Sequence, residues 1–184
     1  MKGSKIYWVV AIFFMLLMVL AFTFVLVMEM NRPENTSSEL LNAKPYDEIK
    51  DLSINERYLG KKRMLIKADG ASVRPEKIGF IENPFAKKLH MVKPDIFLYD
   101  ESNKWISRIV ADYATMDIPE NNISFRQNVR LSTPDNQSLT TDKLSFLSGT
   151  GFIVIKDKFK LAAKGEVIEG SNLTADVGLK RLSR

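Results

Sequence analysis

Ile123-Ser124-Phe125-Arg126-Gln127-Asn128-Val129-Arg130-Leu131 decides the fold. Ile123, Phe125, Val129 and Leu131 occupy odd positions, and Ser124, Arg126, Asn128 and Arg130 stand between them. A period of two places one face on an apolar interior and the other in water, as a half-buried strand requires. Gln127 interrupts the apolar face and predicts a bulge. Asn121-Asn122 before the stretch and Pro134-Asp135-Asn136 after it are turn material.

The same texture extends both ways. Downstream come Leu139 to Thr141, then Leu144 and Phe146, a turn at Ser148-Gly149-Thr150-Gly151, and the apolar run Phe152 to Ile155. Lys158 to Lys164 alternates again, with Phe159, Leu161 and Ala163 on one side, and Leu173, Ala175 and Val177 form a last strand. Upstream, Met64, Ile66 and Ala68 share a face, as do Trp105, Ile109 and Ala111. No amphipathic helix of three turns follows residue 57. The pattern predicts an all-β domain over residues 60–182, of sandwich, jelly-roll or barrel type.

A second pattern overlies the strands. Ala68-Asp69, Ala111-Asp112, Thr141-Asp142 and Ala175-Asp176 each put a small residue before an aspartate near the end of a strand-like run. Recurrence on this scale indicates one supersecondary unit used repeatedly. Its expected form is a strand, a turn opened by the aspartate, and a return strand. The first spacing is the longest and marks Phe80 to Val92 as an insertion.

Ile6 to Met28 is uncharged, and a membrane-spanning helix needs about 20 such residues. Bulky residues fill the place where a signal peptide's small cleavage residues would stand, so an uncleaved anchor is expected over 6–28. Lys2 and Lys5 keep residues 1–5 cytoplasmic, and everything after Met28 falls beyond the membrane, in the periplasm of a Gram-negative cell. Residues 29–59, with Pro33, Pro45 and several Asn and Ser, are expected to be a stalk.

The 184 residues carry a net charge of +5, too mild and scattered for a nucleic-acid surface, and no cysteine. His90 is the only histidine and supports neither a catalytic triad nor a multi-histidine metal site. No catalytic, metal or cofactor residue is assigned, and an enzyme is the weakest class. The residues offer instead an inward set that is either a sealed core or an apolar slot for acyl chains. It comprises Ile109, Ile123, Phe125, Val129, Leu131, Leu144, Phe146, Phe152, Phe159 and Leu161. A bitopic scaffold with a closed core, binding only protein, is the alternative.

Trp105 to Ala114, Ile123-Ser124-Phe125, Asn128 to Leu131, Leu139 to Leu144 and Gly170 to Leu179, in this order and spacing, resemble the LptC family. That family is the single-pass inner-membrane subunit of the lipopolysaccharide transport machine, with related repeats in LptA and LptD. The resemblance implies a twisted, V-shaped, open β-jelly-roll through which lipopolysaccharide acyl chains pass. It further implies loading by an inner-membrane ABC transporter of LptB/LptF/LptG type and delivery to a periplasmic bridge protein of LptA type. On this resemblance the transporter-facing edge is Met64, Ile66 and Ala68, and the bridge-facing edge is Leu173, Ala175 and Val177. Such edges pair by β-augmentation.

Overall fold

The computed structural model describes residues 48–58, 60–78, 81–163 and 165–183, together with Met15, Met18 and Thr23. The chain divides into two compact units, 1–34 and 35–184. In the first, the three described residues are helical; the remainder of the expected anchor over 6–28 lies outside the described residues. Among the described residues no helix is long and apolar enough to cross a membrane.

The second unit is one antiparallel sheet of eleven strands. They are β1 (Glu48–Tyr58), β2 (Lys61–Ile78), β3 (Ile81–Val92), β4 (Asp95–Tyr99), β5 (Trp105–Val110) and β6 (Tyr113–Asp117), followed by β7 (Ile123–Ser132), β8 (Ser138–Leu147), β9 (Phe152–Ala163), β10 (Glu166–Asp176) and β11 (Leu182–Ser183). β1 covers one side of β2, while β3 and β4 lie end to end along the other. β5 and β6 lie end to end in turn, against β4 and β3. The chain is thus a meander of long strands, each broken near its middle.

The breaks line up. Asp51 lies opposite Asp69 in the β1–β2 register. The Lys93 ammonium sits 3.4 Å from the Asp69 carboxylate, and the Lys93 N–H donates to the Asp112 carbonyl at 2.8 Å. The Asp112 N–H donates to Gln127, and the Asn128 amide donates to the Asp112 carboxylate at 2.6 Å. Register shifts follow between Arg126 and Val129, Thr141 and Ser145, and Ser171 and Leu173. Asp51, Lys93, Gln127, Asn128 and Asn172 all have positive φ, between 49° and 63°. Asn and Asp tolerate this region because their short polar side chains bond locally. The result is a seam across the whole sheet, which divides it into two half-sheets.

The recurring aspartates therefore act differently from the expectation. Asp69 and Asp142 sit on the seam inside β2 and β8, Asp112 sits on it in the break between β5 and β6, and none of the three opens a hairpin. Only Asp176 opens a turn, its carboxylate accepting the N–H groups of Lys180 and Arg181 at 2.7 and 3.0 Å. The bulge expected at Gln127 is present. Two further expectations change. Residues 81–92, whatever their spacing, are integral to the sheet: β3 pairs on both sides, with β2 and β6. Residues 48–58 of the expected stalk form β1, because Leu52 and Ile54 are buried against Ala68 and Ile66. Two apolar positions were too few to show a period in the sequence.

One face of both half-sheets forms a single apolar core. A one-layer sheet can bury a face only if something covers it, and here the crease brings each half over the other. A bond from the Arg63 guanidinium to the Ser148 carbonyl joins the margin of the first half-sheet to the margin of the second, opposite the crease.

Candidate functional site

The strand register arranges the interior in transverse rows. In the first half-sheet, Ile54, Ile66, Ile96 and Ile109 stand side by side on β1, β2, β4 and β5. The row continues through Leu131, Leu139, Leu161 and Ile168 on β7 to β10. It reaches from the first edge strand to the last long one, about 34 Å at roughly 4.8 Å per strand. Beside the crease, Phe159 lies over Gly170, where a Cβ would come within 3.2 Å of the ring; glycine there makes room for the aromatic. In the second half-sheet, Ala71, Met91, Ala114, Phe125 and Leu144 form one row. Val73, Leu89, Met116, Ile123, Phe146 and Ile153 form the next.

Nine of the ten residues expected to point inward do so. Ile109, Ile123, Phe125, Val129, Leu131, Leu144, Phe146, Phe159 and Leu161 are all at most 5% exposed and belong to one core. Phe152 does not: β9 buries Ile153 and Ile155, so Phe152 falls on the other face and is half-buried. Its run is apolar throughout, which left the phase of the strand unmarked in the sequence. Ile54, Ile66, Ile96, Leu139 and Met91 also line the interior, and alternation within their strands is their only signal.

The expected edges shift as well. Met64, Ile66 and Ala68 are buried inside the sheet, and β2 is flanked there by β1 and β4. The N-terminal edge is β1, which among the described residues pairs with β2 alone. At the other end Leu173 and Ala175 point inward, and Ala175 is covered by Leu182 of β11. Val177 lies past β10 and bonds Gly151 through its N–H. The open stretch of the C-terminal edge is Glu166 to Leu173.

At the margin opposite the crease the interior becomes polar. Glu56, Met64, Leu98 and Ser107 are successive register partners, and Thr133 follows Ser107 one pair beyond Arg108 and Ser132. Glu56, Ser107 and Thr133 are 4%, 0% and 5% exposed. Each carries a buried side-chain oxygen without a hydrogen-bond partner among the described residues. Burial raises the Glu56 carboxyl above its ordinary 4.5, with Arg63 opposing in part. An unpaired buried oxygen costs about 1–3 kcal/mol, so this row is the least satisfied part of the interior.

The margin row, the aliphatic row and the open edges are the distinguishing features of this sheet. The family description "Lipopolysaccharide-assembly, LptC-related" matches residues 13–183. The chain belongs to the LptC family. It is therefore a component of the bacterial envelope's lipopolysaccharide transport system, in a family of lipid-transport rather than enzymatic proteins. A search of curated proteins returned no match.

Proposed function

We propose that this LptC-family chain is a membrane-anchored transfer subunit. It receives lipopolysaccharide from an inner-membrane ABC transporter of LptB/LptF/LptG type and passes it to a bridge protein of LptA type. Acyl chains lie between the half-sheets, against the aliphatic row. The β1 edge faces the transporter and the open stretch of β10 faces the bridge. The observation that carries this reading is the continuity of the row from Ile54 to Ile168, edge to edge. Each buried CH₂ contributes roughly 0.8 kcal/mol, enough for a row of side chains to hold an acyl chain while the saccharide stays in water.

The guest enters when the margin opens, because the interior side chains cover one another in the closed form. That same closure supports the second reading, a scaffold whose sealed core binds only protein. One experiment separates the two. Photoreactive side chains are placed at Leu131 and at its outward neighbour Arg130 in the chain assembled with its transporter. Transfer predicts lipopolysaccharide crosslinks at 131 and none at 130. Absence of crosslinks at 131, with protein partners still bound, establishes the scaffold.

A further inference from the structure

A groove of about 890 Å³ crosses the outer face of the second half-sheet, away from the acyl row. Its floor is polar and set by register: Ser72, His90, Thr115 and Ser124 are successive partners on β2, β3, β6 and β7. A neighbouring depression of about 340 Å³ shares Thr115 and Ser124 and extends the floor to Ser145 on β8. Along one side stand Val92 and Tyr113, 45% and 50% exposed, and then Arg126. On the other side stand Arg74 and Lys88, themselves register partners.

These cations differ in their engagement. Lys88 is held by Glu76 at 2.5 Å, and Lys93 by Asp69. Arg74 and Arg126 have no ion pair among the described residues. Cationic charge thus surrounds a floor of hydroxyls, with an exposed aromatic ring at its side. Hydroxyl and imidazole groups match a sugar's alternating donors and acceptors. The tyrosine ring offers a flat apolar face to a sugar's C–H groups, and guanidinium groups select phosphate through paired donors.

We propose that this groove binds a phosphorylated saccharide, with the phosphate over His90 and Thr115 and the sugar ring against Tyr113. The site is separate from the acyl row and rests on the transport reading only for its natural cargo, the head group of a glycolipid. His90 reports on it. Burial, and then Arg74, Lys88 and Arg126, hold its imidazole below the ordinary 6.5. The other titratable groups on this face include Glu48, Lys50, Asp69 and Lys93 beside the crease, Glu76 on β2, Tyr113, Asp117 and Glu120 on and after β6, and Lys143 opposite Arg126 on β8.

The test uses the full chain in a neutral detergent and the magnetic resonance signals of the single histidine. Glucose 6-phosphate is expected to shift them saturably, and to raise the imidazole pKa by placing an anion among the cations. Glucose and inorganic phosphate each bind at least tenfold more weakly. Arg126→Gln and Tyr113→Ala each lower the affinity for glucose 6-phosphate about tenfold, while Arg130→Gln on the other half-sheet leaves it unchanged. Equal binding of inorganic phosphate overturns the saccharide assignment. So does an unmoved histidine signal, or binding to phosphatidylglycerol vesicles without binding to the sugar phosphate. Lipid crosslinking at Leu131 is independent of the groove, so its loss with sugar-phosphate binding intact counts against the transport reading alone.

Discussion

Glu56 shows what one residue contributes. It follows Leu52 and Ile54 in the inward phase of β1, where a third aliphatic would extend the core. Its raised carboxyl pKa means that the folded state binds a proton more tightly than the unfolded state. Stability from this group is fully present below the ordinary 4.5 and is lost as pH rises through the raised value. The thermal midpoint of the native chain is expected to decline over that window, and Glu56→Gln to remove that part of the decline. At neutral pH the variant gains about 1 kcal/mol, roughly 3 °C at this size. Calorimetry of both chains across that pH window checks it; parallel profiles would show that Glu56 is not titrating in the fold. Sequence alternation identified Phe125 and Leu131 because their strand marks both faces with opposite chemistry. It missed Ser107 and Thr133, since a small hydroxyl residue on an inward position looks the same as one on a turn or an outer face.

At the scale of the element, the deciding feature is which strand side remains open. Loop Gly165 and the Ala163–Glu166 pair set the phase of the β9–β10 hairpin. In that phase Val167 and Glu169 direct their N–H groups away from β9. Val167→Pro and Glu169→Pro together remove two donors from the open edge without touching the hairpin ladder. They are expected to weaken association with the bridge protein at least tenfold while the thermal midpoint stays within a few degrees; pull-down and calorimetry on the same samples read both. Unchanged association would move the bridge interface elsewhere. The strands themselves were legible wherever apolar and charged residues alternate, as in β7 and the later part of β9. Their pairing was not. Nothing in Met64 to Ala68 distinguishes a strand flanked on both sides from an edge, because side-chain period reports faces and says nothing of neighbours. The aspartates were legible as a repeat, and three of the four were misread as turns: the positive-φ residues of the crease are their neighbours Asp51, Lys93, Gln127, Asn128 and Asn172, and a short polar residue beside irregular backbone looks the same at a bulge as at a turn.

For the β unit as a whole, the transfer reading makes the crease a hinge line and the opposite margin a mouth. The Arg63–Ser148 bond spans that mouth, beside Glu56 and its unsatisfied row. A short bismaleimide bridge between cysteines introduced by Arg63→Cys and Ser148→Cys is expected to hold the mouth shut. Crosslinking of lipopolysaccharide to a photoreactive group at Leu131 then falls at least tenfold, and the unbridged double variant keeps it. The chain has no cysteine of its own, so the bridge forms only where it is placed. Equal crosslinking with and without the bridge would show that lipid reaches the row by another route. The aliphatic row has a further property: it runs across the strands and not along them. Its span is therefore counted in strands, growing by roughly 4.8 Å for each one annealed to either flank while its bore stays the same. A compartment of any breadth can be crossed by repetition of this one part, with no redesign of its lining.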